Sequence, residues 1–98
     1  MKLFAILRRR GWRTGGDLEE AAQRSTDEGN NMGEEQIRWI RSYVLEEPDG
    51  TVGTVCIYQA ASPEAIREHA QRADLPVDEI IPVVDTVLVR PDPEPAAA

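Results

Sequence analysis

Hydrophobic and polar positions along the chain predict a β-hairpin in residues 37–61, and the rest of the fold is inferred around it. Two runs rich in Val, Ile, Tyr, Trp and Thr flank Pro48-Asp49-Gly50. An Asp-Gly pair between two such runs is a strong signal for a hairpin with a two-residue turn. We therefore expect Pro48 to pair with Thr51, with the two strands running back from that pair.

This register determines which side chains share a face of the hairpin. It sets Tyr43 opposite Cys56 and Arg41 opposite Tyr58, and side chains alternate between the two faces of a strand. One face is then aliphatic, whereas the other is aromatic with some polar groups. A sheet with one solvated face would carry polar residues on it, so the pattern predicts that both faces are covered. The aromatic face carries Trp39, Arg41, Tyr43, Cys56 and Tyr58.

Capping signals predict two helices. Asp17 and Glu20 match a capping box, so we expect the first helix to begin at Asp17 and to end near Gly29. The second helix is expected to follow Ser62, because Ser is a preferred N-cap and Pro63 suits the first helical position.

Two further strands complete the fold, and they are expected in the apolar runs of residues 2–10 and 83–89. The order strand, helix, strand, strand, helix, strand is the ferredoxin-like βαββαβ arrangement of an α+β protein. Such a fold has an antiparallel four-stranded sheet with both helices on one face, so its other face is bare in a monomer. Because that face is apolar here, we expect a second copy to cover it, giving a homodimer of the dimeric α+β barrel kind.

Length and composition indicate one domain, residues 1–90, followed by a Pro- and Ala-rich tail, residues 91–98, that is expected to be disordered. A net charge of −7 disfavours nucleic acid and anionic membranes as partners. No apolar run approaches the ~20 residues that span a bilayer. The single Cys56 has no internal disulfide partner, which favours a reducing, cytoplasmic location.

Basic residues are concentrated near the N-terminus, where Arg8, Arg9 and Arg10 are consecutive. The favoured interpretation is a strand end that meets solvent and protects a sheet edge. The alternative is an anion or nucleic-acid site, which has less support because no aromatic platform accompanies the run. Gly11, Gly15 and Gly16 do not have the spacing of a phosphate-binding loop.

Three motifs in residues 37–75 carry a resemblance to a known family: W-I-R-S-Y-V, C-I-Y-Q-A and S-P-E-A-I-R-E-H-A-Q-R-A-D-L-P. With them the chain resembles small bacterial ferredoxin-like proteins that include a nickel-binding, nickel-responsive actinobacterial member. The resemblance implies a non-enzymatic dimer that binds Ni²⁺ or a similar divalent ion, for sequestration or response. Tyr43, Cys56, Tyr58 and His69 match positions of that family.

His69 is the candidate metal ligand, because imidazole suits nickel and neighbouring metals. Its neighbours at helical spacing are Ala65, Ile66, Arg72 and Ala73. None of them is a ligand, so a metal site needs groups from another element or another chain. The alternative roles are a hydrogen-bonded histidine at the helix border and a Cys56 that is simply buried. Candidate oxygen ligands, each of which could equally be a solvated turn residue, are Glu34-Glu35, Glu46-Glu47-Asp49 and Asp78-Glu79.

An enzyme is the alternative function, because dimeric α+β barrels include cofactor-independent monooxygenases and isomerases. In that interpretation the aromatic face forms a pocket wall, Arg41 binds an anionic group, and Tyr43 or His69 transfers a proton. A small-ligand sensor that uses the same face is a third possibility. The enzyme interpretation rests partly on analogy between folds.

Overall fold

The computed structural model describes residues 1–94, which form one four-stranded sheet and two helices. In chain order the elements are β1 (Lys2–Trp12), α1 (Gly15–Met32), β2 (Ile37–Glu46), β3 (Val52–Ala60), α2 (Pro63–Ala73) and β4 (Glu79–Pro82). The strands lie in the order β2-β3-β1-β4, and every neighbouring pair is antiparallel. This arrangement confirms the predicted ferredoxin-like α+β fold. Within residues 1–94, neither helix combines the length and the apolar composition that a membrane crossing requires.

Alternation along the two central strands builds the core on the side of the sheet that the helices cover. Phe4 pairs with Tyr58 and Ile6 with Cys56, and all four side chains are buried against the helices. The intervening residues of β1 and β3 point to the other side, which we call the open face. The core cluster consists of Phe4, Ile6, Ile37, Cys56, Tyr58, Ala60 and Ile66.

The hairpin between β2 and β3 forms as predicted, but its register is shifted by one residue. Glu46 pairs with Val52 and Tyr43 with Val55, so the expected pairing of Tyr43 with Cys56 is wrong. The loop is longer because the Glu47 amide donates to the Thr51 carbonyl at 3.0 Å, leaving three residues in the turn. Gly50 has a φ of +87°, as expected for a three-residue loop that ends in a left-handed position.

A β-bulge at Ile40 then divides β2 between the two faces. Trp39 pairs with Tyr58, but Arg41 pairs with Ile57, so Ile40 is an extra residue opposite this step. A bulge moves the following side chains to the opposite face from the one that strict alternation gives. Trp39 therefore lies on the helix side, whereas Arg41 and Tyr43 lie on the open face. The prediction of one shared aromatic face is wrong for these two residues.

A second irregularity lies at the end of β1, which extends to Trp12 rather than ending at residue 10. The pairing skips from Arg8 opposite Thr54 to Trp12 opposite Val52, and Arg10 has a φ of +50°. Gly53 faces this bulge so closely that an added Cβ would lie 2.7 Å from the Arg8 carbonyl oxygen. The expectation that all three arginines meet solvent is wrong for Arg8, which is 1% exposed.

Each helix begins at an N-cap side chain, and the sequence predicted the cap of α2 but not that of α1. Ser62 caps α2 by accepting from the Ala65 amide at 3.2 Å, and Pro63 is its first residue, which confirms the expected start. Helix α1 begins earlier than predicted, because the Thr14 hydroxyl caps it by accepting from the Asp17 amide at 3.1 Å. Asp17 therefore lies in the first turn rather than at the cap.

The last strand is β4, not the predicted residues 83–89. It pairs with β1 from Leu7 opposite Glu79 to Phe4 opposite Pro82, and the Val83 amide donates to the Leu3 carbonyl at 2.9 Å. Because β1 begins at Lys2, the segment that follows Val83 runs past the end of β1 and has no neighbouring strand to pair with. Residues 83–94 continue without regular structure. The predicted disorder of the tail concerns residues 91–98, of which 95–98 lie outside the described residues.

Candidate functional site

A cleft of about 410 Å³, which we call the α1 cleft, opens between α1 and the helix side of β2 and β3. Its walls are mostly apolar, and both tryptophans of the chain, Trp12 and Trp39, take part in them. Small residues on α1 leave this space, because Ala21 and Ala22 face the sheet. The polar side chains that line the cleft are Arg8, Glu19, Ser25, Arg41, Ser42, Thr54, Cys56 and Tyr58.

Arg8 is the unexpected residue of this cleft. Alternation along β1 places it on the helix side after Phe4 and Ile6, where it is 1% exposed. Its Nη1 donates to the Pro76 carbonyl at 2.6 Å, whereas its Nη2 has no hydrogen-bond partner in the described part of the chain. Among residues 1–94, no carboxylate forms an ion pair with it. Because Phe4, Ile6 and Arg8 alternate with Leu3, Ala5 and Leu7 in the sequence, the same pattern could have predicted that Arg8 is buried.

Tyr58 connects the sheet to both helices. Its ring stacks on Trp39 with centroids 6.0 Å apart and an interplanar angle of 9°. Its hydroxyl lies 3.0 Å from the Ser25 Oγ in α1. Burial raises the pKa of Tyr58, so the phenol stays protonated at neutral pH and keeps its hydrogen bond.

His69 bridges the two helices. Its Nε2 donates to the Ser25 carbonyl at 2.9 Å, and its ring packs 5.5 Å from the ring of Tyr58. The residue is 1% exposed, and burial lowers its pKa, so the imidazole is neutral at neutral pH. Its Nδ1 then carries a lone pair and has no partner among the described residues.

A second cleft of about 350 Å³ lies beside His69, at the C-terminal end of α1, and we call it the His69 cleft. Glu34 lines the same cleft, as do Asn30 and Arg38. The His69 imidazole, the Glu34 carboxylate and the Arg38 guanidinium therefore line the same cleft. Within residues 1–94, no three His, Cys, Asp or Glu side chains are grouped closely enough to hold a metal ion.

Cys56 lines the α1 cleft but is buried, with 4% of its surface exposed. Its Sγ donates to the Thr54 Oγ1 at 3.3 Å. A buried thiol in apolar surroundings behaves as a small hydrophobic residue. The structure therefore gives Cys56 a packing role beside Thr54.

Arg41 and Tyr43 are not brought together with Cys56 and Tyr58. Arg41 borders the α1 cleft, but its guanidinium is on the open face, where it pairs with Asp92. The Tyr43 hydroxyl donates to the same carboxylate at 2.8 Å. The pocket wall on which the enzyme interpretation depends is thus divided between two faces of the sheet.

Glu47 was a candidate metal ligand, and the structure gives it a different environment. It accepts two hydrogen bonds from the Arg9 guanidinium, at 2.7 and 2.8 Å, and one from the Arg10 amide at 2.8 Å. The hydrogen bonds from Arg9 and then from Arg10 lower the pKa of Glu47 to about 2. With its oxygens engaged in this way, Glu47 holds the bulge of β1 against the hairpin loop.

The sequence over almost the whole fold matches one family of proteins. A family model described as "Nickel responsive protein SCO4226-like" matches residues 4–83, which include every helix and all of β2, β3 and β4. The chain belongs to this family. The fold resembles the crystal structure of SCO4226 from Streptomyces coelicolor A3(2), with a TM-score of 0.65 and 22% sequence identity. That alignment covers 87% of this chain and 99% of the other.

At this identity the structural likeness shows a common fold. The family match adds the description nickel-responsive and confirms the resemblance found in the sequence motifs. No curated protein sequence matches this chain.

Proposed function

We propose that this member of the SCO4226-like family binds a nickel-type divalent cation as a homodimer and does not catalyse a reaction. The observation that carries the proposal is the match to a nickel-responsive family over residues 4–83. The net charge of −7 also favours a cation over an anionic macromolecule as the partner. The free, buried Cys56 is consistent with the cytoplasmic location that we propose.

The His69 cleft supplies the donors that best suit such an ion. His69 is neutral, as a metal ligand must be, and Glu34 offers carboxylate oxygens on the same wall. These two groups do not form a closed site in one described protomer, and Arg38 opposes a cation there. The remaining ligands in the proposal are water or groups of a second copy, because nickel prefers more than two donors.

Binding at His69 also requires a local adjustment. Its Nδ1 is buried in the protomer. Its Nε2, the ring nitrogen beside Gly29 in the C-terminal turn of α1, is occupied by the Ser25 carbonyl, so an ion binds the imidazole only when the packing around the ring moves. Gly29 and Gly33 border the cleft at this turn, and glycine is the residue that leaves a backbone most freedom. The proposal therefore links metal binding to a shift of α1 against α2.

The homodimer is supported by the apolar surface that one protomer leaves exposed. On the open face Tyr43 is 45% exposed and Ile81 is 42% exposed. The segment after β4 exposes further apolar side chains: Val84, Val87, Leu88 and Val89 have between 75% and 99% of their surface accessible. Large exposed apolar side chains mark an interaction site when they form a patch, and in the proposal a second copy related by a twofold axis covers those of the open face.

Calorimetric titration of the metal-free protein with Ni²⁺, Zn²⁺, Co²⁺ and Cu²⁺ tests the proposal. We expect saturable nickel binding that weakens by at least about tenfold in the His69→Gln variant, since one imidazole ligand is lost. Glu64→Gln, which removes an exposed carboxylate in the first turn of α2 that does not line the cleft, is the matched control and should bind as the wild type does.

Two results would count against the proposal. Absence of nickel binding by the folded wild type removes the metal function altogether. Unchanged affinity in a folded His69→Gln variant removes His69 as a ligand. Circular dichroism of each variant establishes the folded state, because His69 also holds α1 to α2.

A further inference from the structure

The α1 cleft contains a buried cation that no carboxylate in residues 1–94 neutralises. Arg8 is 1% exposed, its Nη2 has no partner, and the ion pairs of residues 1–94 leave it out. By contrast, its neighbours Arg9 and Arg10 pair with Glu47 and Asp49. Buried charges in proteins are normally paired, because removing an ion from water is costly. A missing anion is the simplest explanation of this arrangement.

Thr54 provides a second donor beside this cation. It is the cross-strand partner of Arg8, it is 2% exposed, and both residues line the cleft. Directly opposed side chains on neighbouring strands are close enough to bind one group together. The Thr54 Oγ1 accepts from the Cys56 thiol, which leaves its own hydrogen available to donate. Arg8 and Thr54 thus offer adjacent donors to the two oxygens of a carboxylate. Because the Arg8 Nη2 is buried in the protomer, a carboxylate reaches it only when the side chains over the guanidinium move.

The other side chains that line the cleft indicate the chemistry of the part of the ligand that is not the carboxylate. They consist largely of apolar side chains, including Trp12, Trp39 and Leu75, and the volume of about 410 Å³ lies within the range of about 300–1,000 Å³ for small-molecule sites. Trp39 is 41% exposed although it stacks on Tyr58, so part of its ring is available for contact. These walls suit a flat, apolar body.

The charges around the cleft limit the ligand to a single negative charge. Arg8 is buried and has no ion pair within the described residues, whereas Arg41 is engaged with Asp92. Glu19 borders the opening from α1 and repels a second negative charge. A phosphate dianion is therefore a poor match, and a monocarboxylate is a good one.

We propose that the α1 cleft binds a small aromatic monocarboxylate, whose carboxylate is held by Arg8 and Thr54 and whose ring lies against Trp39. Trp39 borders both clefts, but this site uses neither His69 nor Glu34, the two residues that are proposed to hold the metal. It is a further function of the protein, and it stands or falls independently of nickel binding.

Tryptophan fluorescence tests this site directly, because both tryptophans of the chain line it. Phenylacetate and its neutral analogue phenylacetamide are titrated into metal-free wild-type protein in the presence of a chelator. We expect a saturable change with phenylacetate and at least about tenfold weaker binding of the amide, because only the acid forms charge-assisted hydrogen bonds. Acetate, which lacks the ring, should bind more weakly than phenylacetate.

Variants then assign the preference to named residues. In Arg8→Gln the ratio of acid to amide affinity should fall to about one, and in Thr54→Val it should fall by a smaller factor. Arg67→Gln, which removes an exposed arginine of α2, is the control and should keep the wild-type ratio. If Arg8→Gln does not fold, the proposal is tested by the ratio of acid to amide affinity in the wild type and in Thr54→Val.

Four results would overturn the proposal. These are no saturable binding of phenylacetate, equal binding of acid and amide by the wild type, an unchanged ratio in folded Arg8→Gln, and displacement of phenylacetate by inorganic phosphate at comparable concentration. Nickel titration of a chelator-free portion of the same protein reports on the metal separately, so failure at either site leaves the other result interpretable.

Discussion

Consecutive arginines occupy three different environments because side chains alternate along β1 and the strand then bulges. Arg8 is buried under α1, Arg9 forms a bidentate ion pair with Glu47, and Arg10 lies 3.3 Å from an Asp49 oxygen. A run of like residues in a sequence suggests one common role, such as a solvated strand end. The burial of Glu47 shows that such a run can instead hold separate parts of a fold together.

Glu47 is the residue on which this part of the fold depends most. Its folded pKa of about 2 lies below its ordinary value of 4.5. Its contribution to stability is therefore complete above pH ~4.5 and is lost as the pH falls toward 2. We expect Glu47→Gln to lower the melting temperature by several degrees at neutral pH and to weaken the loss of stability on acidification.

Denaturation of Glu47→Gln along an acid series measures both effects, and Glu46→Gln is the matched control, since Glu46 is exposed. Equal stability of the two variants at neutral pH would contradict this account.

At the level of elements, the order and type of helices and strands followed from local signals in the sequence. Ser62-Pro63 gave the start of α2, and Pro48-Asp49-Gly50 gave the hairpin. The register of the hairpin could not be predicted, because Pro48-Asp49-Gly50 suits either a two-residue or a three-residue loop. The hydrogen bond from the Glu47 amide to the Thr51 carbonyl decides between them. The register shift is the reason that Tyr43 is not on the face of Tyr58. The bulge at Ile40 has no local signal, and it separates Trp39 from Arg41 and Tyr43.

Helix α1 provides a direct comparison of two possible caps. Thr14 accepts from the Asp17 amide in the structure, whereas a cap at Asp17 would rely on Glu20. We expect Thr14→Ala to lower the free energy of unfolding by about 1 kcal/mol. Glu20→Ala should change it by less than about 0.5 kcal/mol, as for other exposed positions. Urea denaturation measures both values, and a larger effect of Glu20→Ala would show that the helix begins at Asp17.

For the whole molecule, the sequence indicated that both faces of the sheet are apolar, and the structure shows how one of them is covered. The helices bury Phe4 and Ile6, whereas Leu3, Ala5 and Leu7 on the open face stay partly accessible. The site within the helix side was harder to foresee. It depends on the pairing of Arg8 with Thr54 on the neighbouring strand, which only the register of β1 against β3 defines.

A charge on the open face should separate the proposed dimer. Ile57 pairs with Ala5 and Arg41 at the centre of that face, so Ile57→Glu places an unpaired carboxylate where two sheets would pack. We expect this variant to sediment as a monomer at concentrations where the wild type is a dimer. Gln71→Glu adds the same charge to the exposed side of α2, and it should leave the mass unchanged.

Native mass spectrometry of the wild-type protein with added Ni²⁺ tests the central claim most directly, because one spectrum gives both the subunit number and the bound metal. The account predicts a species of twice the protomer mass of 10.9 kDa that carries nickel. A folded protein that stays a metal-free protomer under the same conditions would contradict it.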